Sequence, residues 1–378
     1  MLPALTAAAL YGAVLLLVAY RYNRRWPHLR DYPPATGGAL VSVVIPARNE
    51  AHNIERCVRS VASSLYGSIE VIVVDDRSTD GTGDVVRRLA LEPGLAGKVR
   101  LVSGTDLPDG WFGKVWALVQ GYRGSRGELL LFTDADTTHS PELLGRAVAG
   151  LAAERVQLWS VIPRQQTGSF WERLVQPHVF FVLQSRVGDL RRVNRTRVPW
   201  EAIANGQFIL TRRAEYEAVG THAVVKDQVA EDVALAQAYV RTGRDVFLAH
   251  AQELMSTRMY RSLAEIIEGW SKNLALGAPM MMPPIRWMRR VAPYLMWIPS
   301  LVWIIPPVVW AATGWLPAAI ATVLSLGTWL LVYHYERVPL WYALLFPFGA
   351  LTVASIMMRS AIRGRRRIDW KGRTYSAR

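Results

Sequence analysis

Apolar and polar positions are distributed unevenly along this chain. Residues 2–20 are nineteen positions without a charge, followed by Arg21, Arg24, Arg25 and Arg30. Three further apolar runs, 291–311, 315–333 and 339–358, carry Trp and Tyr near their edges, as interfacial belts do. Each run is long enough to cross a hydrocarbon core as a helix. Between them the pattern changes. Short apolar runs rich in β-branched residues, at 40–45 and 71–74, each end in a polar loop and lead into a helical pattern. The runs at 98–102, 129–132 and 156–162 continue the series. Continuous short runs alternating with helices predict buried parallel strands, and hence an α/β domain over 33–257.

Two other segments have mixed character. Over 258–290, Leu263, Ile266, Ile267, Trp270 and Leu274 follow helical spacing, with Glu265, Glu268 and Lys272 off that face. Both a helix lying in the headgroup plane and a helix packed on the α/β domain fit this pattern. The stretch 170–183, aromatic and apolar, fits either core or a lipid-facing surface; its His178 has no second histidine spaced for a metal and reads as a packed, hydrogen-bonded side chain.

Charge sharpens the division. The net charge is +14, and residues 359–378 hold eight Lys or Arg against the single acid Asp369. Beside an apolar span such a tail suits anionic headgroups. No zinc spacing or recognition motif accompanies it, which argues against nucleic acid as a partner. The sole cysteine, Cys57, excludes an intrachain disulfide and fits a reducing cytoplasmic setting, as a small buried filler on a helix. Arginines after the first apolar run, with no basic stretch before it, favour an anchor over 1–21 rather than a cleaved signal, and place the α/β domain in the cytoplasm. Three later crossings would leave the tail outside, against the evidence of Arg363, Arg365, Arg366 and Arg367. Pro299, Pro306 and Pro307 make the first run of 291–358 the candidate for a re-entrant or interfacial segment.

Ligands of parallel sheets bind at the carboxyl ends of the strands, so the loops there are where chemistry is expected. They read Pro46-Ala47-Arg48-Asn49-Glu50, then Asp75-Asp76-Arg77-Ser78-Thr79-Asp80-Gly81-Thr82, then Thr133-Asp134-Ala135-Asp136-Thr137. No Gly-rich dinucleotide fingerprint or phosphate loop occurs. Carboxylates converge on one sheet edge instead. Asp134 and Asp136, spaced Asp-x-Asp directly after an apolar strand, suit a hard cation such as Mg2+ or Mn2+ that also takes phosphate oxygens. A leaving diphosphate is the natural partner of such an ion. Further along, Asp232 opens a helical pattern, where an acid also has a plain role as cap or dipole partner.

At this point the chain resembles a known family. The segments VSVVIPARNE (41–50), EVIVVDDRSTDGT (70–82), LLLFTDADT (129–137) and VAEDVALAQAYVRTG (229–243) match, in order and separation, the family 2 glycosyltransferases of GT-A fold. The resemblance implies inverting sugar transfer by a hexosyltransferase. It implies that Asp76, with Asp75, contacts the nucleotide base, and that Pro46, Arg48 and Glu50 line the ribose and uracil side. Asp134 and Asp136 would hold the metal, with Asp136 the direct ligand, and Asp232 would accept the proton. The segments GWFGKVWA (110–117), RMYRS (258–262), GWSKN (269–273) and DWKGRTY (369–375) are similar to a membrane-bound branch that includes hopanoid-associated and carotenoid-acid glycosyltransferases. Lys114 there pairs with the donor diphosphate, holds a gating loop, or is simply solvated. Arg258 and Arg261 match a motif of related ceramide and cellulose transferases, but Ser262 stands where those carry Trp, which weakens the analogy to processive synthesis.

The expected protein is therefore a multi-pass enzyme of the cell (inner) membrane with a cytoplasmic GT-A domain, an α/β fold with flanking transmembrane helices. A UDP-sugar, glucose first among candidates, would enter from water and a lipid acceptor such as a carotenoid acid or hopanoid from the bilayer. Two alternatives share the same sequence features: a polyprenyl-phosphate or polysaccharide synthase of the same fold, and a non-catalytic nucleotide-binding membrane scaffold.

Overall fold

A computed structural model describes residues 26–187, 190–363, 368–370 and 373–375. The expected anchor over 1–21 lies outside the described residues, as does most of the tail beyond 363. The chain divides into two compact units: an α/β unit built from 26–166 and 190–259, and a helical unit built from 167–187 and 260–363.

The α/β unit is organised by a seven-stranded sheet. Its strands are β1 (Val41–Ala47), β2 (Ile69–Asp75), β3 (Val99–Ser103), β4 (Leu129–Thr133), β6 (Leu158–Ile162), β8 (Phe208–Arg212) and β9 (Val246–His250). A smaller sheet contains β5 (Thr137–His139), β7 (Arg164–Gln165) and β10 (Met255–Thr257), in the order β5-β10-β7. The large sheet runs β3-β2-β1-β4-β8-β6-β9. β8 is antiparallel to both neighbours, whereas β3, β2, β1 and β4 are parallel.

Period-two alternation distributes the apolar residues to both faces of the sheet. Val41, Val43, Ile45, Val71, Val73, Leu129 and Leu131 enter one core layer. Helix Ile54–Ala62 covers it with Ile54, Cys57, Val58 and Val61, and Leu143–Ala153 adds Leu143, Leu144, Ala147 and Leu151. Val44, Ile72, Val74, Leu130 and Phe132 point the other way, against Ala117 and Leu118 of helix Gly113–Arg123 and Leu235, Ala236 and Tyr239 of helix Glu231–Arg241. Burial on both faces explains why these strands read as continuous apolar runs. Gly121 lets helix Gly113–Arg123 approach closely, since a Cβ there would run into Val44 and Val74.

β1 sits between β2 and β4, with Ala47 in register with Asp75 and Val44 with Phe132. The chain leaves β1 towards β2 on one side while β4 joins on the other, so a crevice opens at their carboxyl ends. The strands run further than the apolar runs predict: Pro46, Ala47 and Asp75 are strand residues.

The helical unit contains helix Phe170–Val187, helix Leu263–Met280 and three stretches long and apolar enough to cross a membrane: Arg286–Thr313, Leu316–Tyr335 and Leu340–Ile362. Pro306 and Pro307, expected to break the first of these, lie inside helix Leu301–Thr313. Helix Leu263–Met280 buries Ile266, Trp270 and Leu274 in one cluster with Trp329, Tyr333, Ala350 and Val353. Its apolar face thus packs on the helices that follow it. Phe170–Val187 joins the same cluster through Leu174, Val175 and Val179. As expected, His178 is packed and hydrogen-bonded: Nδ1 lies 3.0 Å from the carbonyl of Leu174 and Nε2 3.1 Å from that of Phe346, and the N–H of the ring donates to one of them. Ser262 is the N-cap of helix Leu263–Met280: its hydroxyl accepts from Glu265 N–H at 3.2 Å, and the Glu265 carboxylate accepts from Arg261 N–H at 3.0 Å. Trp287, Ile305, Val308, Val323, Leu331, Leu344 and Phe348 face outward, an apolar surface suited to lipid contact.

Candidate active site

The loops after β1 and β2 are laced together. Arg48 Nη1 donates to the carbonyl of Asp76 at 2.6 Å and of Arg77 at 3.2 Å. Asn49 N–H donates to Ser78 Oγ at 3.0 Å, and Asn49 Oδ1 accepts from Thr79 N–H at 2.9 Å. Glu50 N–H donates to Thr82 Oγ1 at 2.8 Å. Asn49 and Arg77 both take left-handed backbones, with φ of 53° and 57°, at the tips of these turns. Asp80 is the hub, accepting from Ala51 N–H at 3.0 Å, Thr82 N–H at 3.0 Å and the Thr82 hydroxyl at 2.5 Å. Burial alone would raise its pKa, but these hydrogen bonds outweigh burial and hold the carboxyl below its ordinary range. Asp75 closes β2 and accepts from Ser78 N–H at 3.0 Å; Asp76 is buried, its N–H bonded to Ala47 O at 2.8 Å. Pro46 pairs with Val74 across the two strands.

The Asp134-Ala135-Asp136 turn leaves β4 and is braced from below. Thr133 Oγ1 donates to Gln207 O at 2.7 Å, and Thr137 Oγ1 donates to Asp134 O at 2.8 Å. His139 Nε2 lies 3.1 Å from both hydroxyls, and burial pushes its pKa down to about 3, so the ring stays neutral. Cys57 Sγ is 3.5 Å from Asp134 O. Burial, and then the charges of Asp136, Asp134 and Glu50, push this thiol up to about 12, against the Thr137 hydrogen bond. Cys57 is therefore an inert filler, as its sequence context suggests. β10 pairs antiparallel with β5, Thr257 opposite Thr137, which brings the backbone of Arg258 beside the turn. Arg261 belongs to the helical unit.

Lys114 and Asp232 complete the cluster. Gly110, at φ 77°, turns the chain, Phe112 N–H is pinned by Lys226 O at 2.8 Å, and Lys114 falls in the first turn of helix Gly113–Arg123. Lys114 Nζ lies 2.7 Å from Asp134 Oδ1 and 2.7 Å from Glu231 Oε1, with side-chain exposures of 22%, 27% and 7%. A solvated lysine is thereby excluded. Burial favours the neutral amine, but the carboxylates of Asp134, Glu231 and Asp232 outweigh it and hold the pKa well above the ordinary value. Asp232 Oδ2 accepts from Gly206 N–H at 2.8 Å, and Oδ1 from Val233 N–H at 2.8 Å. Burial, then the Glu231 charge, push the Asp232 carboxyl up to about 6, opposed by Lys114 and those two N–H groups. Ala230, not either acid, holds the cap position of helix Glu231–Arg241. Asp232 is thus turned towards the loop that precedes β8.

Sequence reading missed the Asn205-Gly206-Gln207 loop. A Cβ at Gly206 would meet Lys114 Nζ at 3.1 Å, Glu231 Oε1 at 3.2 Å and Asp232 Cβ at 3.3 Å, so this glycine is the floor of the cluster. The one available signal was a glycine two residues before a short apolar strand, Phe208–Arg212.

The donor set here is hard carboxylate oxygen, which fits Mg2+ or Mn2+. Among the described residues no group of three or more His, Cys, Asp or Glu side chains is placed to hold a metal alone. An ion here would complete its shell from ligand phosphate oxygens and water, as small divalent cations commonly do.

A parallel sheet with laced acidic loops at its carboxyl edge, followed by an antiparallel strand, defines the GT-A class of nucleotide-sugar transferase folds. Residues 42–219 match the family described as Glycosyl transferase family 2. The chain is 28% identical over 280 residues to the 4,4'-diaponeurosporenoate glycosyltransferase of Staphylococcus haemolyticus (strain JCSC1435), 72% of each chain. It is 31% identical over 258 residues to that of Staphylococcus aureus (strain USA300), covering 65% of this chain and 63% of the relative, a little under two thirds of that protein's length. The mannosyltransferase PcManGT from Pyrobaculum calidifontis, solved with GDP-Man and Mn2+, matches with a TM-score of 0.58 at 22% identity over 96% of both chains. Residues 42–219 thus carry a family 2 glycosyltransferase domain, on a GT-A fold.

Proposed function

We propose that the protein transfers one sugar, with inversion, from a UDP-sugar to a lipid acceptor in the cell membrane, and that the acceptor is a carotenoid acid or similar amphiphile. The observation that carries this reading is the Asp232 carboxylate, oriented by two N–H groups and linked through Glu231 and Lys114 to the Asp-x-Asp turn. The relatives named for 4,4'-diaponeurosporenoate and the apolar helices support a lipid acceptor of that chemistry. In this reading the N-terminal run and the helical unit hold the catalytic domain at the cytoplasmic face.

Asp75, Asp76, Pro46, Arg48 and Glu50 line the nucleoside side of the crevice, and Arg258 serves the diphosphate. Asp136, with Asp134, would hold Mg2+ or Mn2+, which neutralises charge on the departing diphosphate. Asp232 accepts the proton of an acceptor hydroxyl as that oxygen bonds to the anomeric carbon and the bond from that carbon to the diphosphate breaks. Where the acceptor is an ionised carboxylic acid, no proton moves and Asp232 orients the nucleophile. The test is incubation of membranes holding the full chain with labelled UDP-glucose, UDP-N-acetylglucosamine or GDP-mannose, followed by mass spectrometry of the lipid extract. One labelled sugar on a lipid from a UDP donor supports the reading. A sugar polymer, a polyprenyl-phosphate sugar, or transfer from GDP-mannose alone would replace it.

A further inference from the structure

Lys114 sits in the first turn of helix Gly113–Arg123, where the positive end of the helix dipole opposes a cation. Nothing in its own helix rewards it. What holds it are Asp134 Oδ1 and Glu231 Oε1, both at 2.7 Å. One of these belongs to the Asp-x-Asp turn, whose chemistry calls for a divalent cation. The other is almost fully buried at the start of the helix that carries Asp232, and it anchors the ammonium from the opposite side. A Cβ at Gly206 would crowd Nζ at 3.1 Å, so the glycine floor keeps any side chain from pressing on the amine there.

We propose that Lys114 is a resident counter-cation for the Asp134 carboxylate, displaced from it only when a divalent cation and a diphosphate arrive together, so that neither binds tightly without the other. The inference rests on the metal and donor reading above. A divalent ion alone must compete with the ammonium for Asp134 and would strand that amine beside a new positive charge. A diphosphate alone meets an ammonium already committed to two carboxylates, with Asp136 repelling it. When both enter, the cation takes Asp134, the ammonium turns on its Glu231 anchor towards the diphosphate oxygens, and charge balances throughout. By linkage, each ligand then raises the affinity of the other by the same factor.

The test is Mn2+ binding to the purified full chain without turnover, followed by electron paramagnetic resonance of free Mn2+, with and without UDP. Wild type should bind Mn2+ weakly alone and much more tightly with UDP. Lys114→Met should bind Mn2+ alone at least about tenfold more tightly, the factor one charge-assisted hydrogen bond represents, and should lose most of the UDP enhancement. Lys114→Arg should keep the wild-type pattern. Because Lys114→Met strands Glu231, the double variant Lys114→Met/Glu231→Gln guards against misfolding and should behave as the single variant. Unchanged affinity for Mn2+ alone in both methionine variants, or no UDP enhancement in wild type, overturns the proposal. Asp136→Ala separates the two layers: if wild type and Asp136→Ala bind Mn2+ equally with UDP, the metal reading itself fails and the counter-cation role with it.

Discussion

Replacing Asp232 by Asn should abolish transfer to a hydroxyl acceptor while making the protein more stable at neutral pH. The carboxyl is pushed up to about 6 by burial and by Glu231. A raised carboxyl binds its proton more tightly in the folded state than in the unfolded state. Its ionised form therefore destabilises the fold above about pH 6, and that penalty fades as pH falls towards the ordinary value of 3.8. The gap corresponds to roughly 3 kcal/mol at neutral pH. The amide carbonyl of Asn can still accept one of the two N–H groups, from Gly206 or Val233, so the loop before β8 stays in place. Loss of a general base costs about 10²- to 10⁴-fold in rate. In wild type the same carboxyl sets an acid limb, with transfer falling about tenfold per pH unit below 6. The assays are initial rates of labelled-sugar transfer to a hydroxyl-bearing lipid from pH 5 to 8 and thermal unfolding of both proteins at pH 7. An Asn variant that keeps the wild-type rate, or one that unfolds at lower temperature at pH 7, refutes the reasoning.

Other substitutions probe other parts of the site. Asp136→Ala should remove metal-stimulated donor hydrolysis and transfer together; a variant that still responds to added Mn2+ would move the metal elsewhere. Asp80→Ala deletes the acceptor shared by Ala51 and Thr82, and should cost about 1–2 kcal/mol and raise KM for the donor, measured by denaturant unfolding and steady-state kinetics. Because the Asp80 carboxyl is held below its ordinary value, its contribution is present above the unfolded pKa and lost as pH falls through the folded one. Gly206→Ala places a Cβ within 3.3 Å of Lys114, Glu231 and Asp232; transfer should fall more than tenfold while unfolding temperature changes little, and the opposite pattern would make Gly206 merely structural.

Much of the site was legible because its chemistry sits at the ends of apolar strands. The runs that became β1, β2 and β4 announce themselves by burial on both faces, and the acids directly after them share one edge by topology. The partners of those acids were less visible. Asp232 depends on the Gly206 N–H, and a backbone donor leaves no mark in a sequence. Lys114 reads equally well as solvent-facing until helix Gly113–Arg123 and helix Glu231–Arg241 are placed on the same sheet face. Ser262 did carry a signal, the Ser-x-x-Glu spacing of a capping box, but comparison with a tryptophan motif drew attention away from it. Helix Phe170–Val187 shows a different limit: an apolar helix face reads the same whether it meets a soluble core or, as here, the apolar helices of the helical unit.

The most direct measurement is the product itself. Purified full-length protein in lipid vesicles should convert UDP-glucose and a carotenoid acid into a lipid bearing one β-linked sugar, with one UDP released per product, as read by mass spectrometry and proton NMR. An α-linked sugar, a growing polymer, or UDP release with no glycosylated lipid would contradict single inverting transfer to a membrane acceptor.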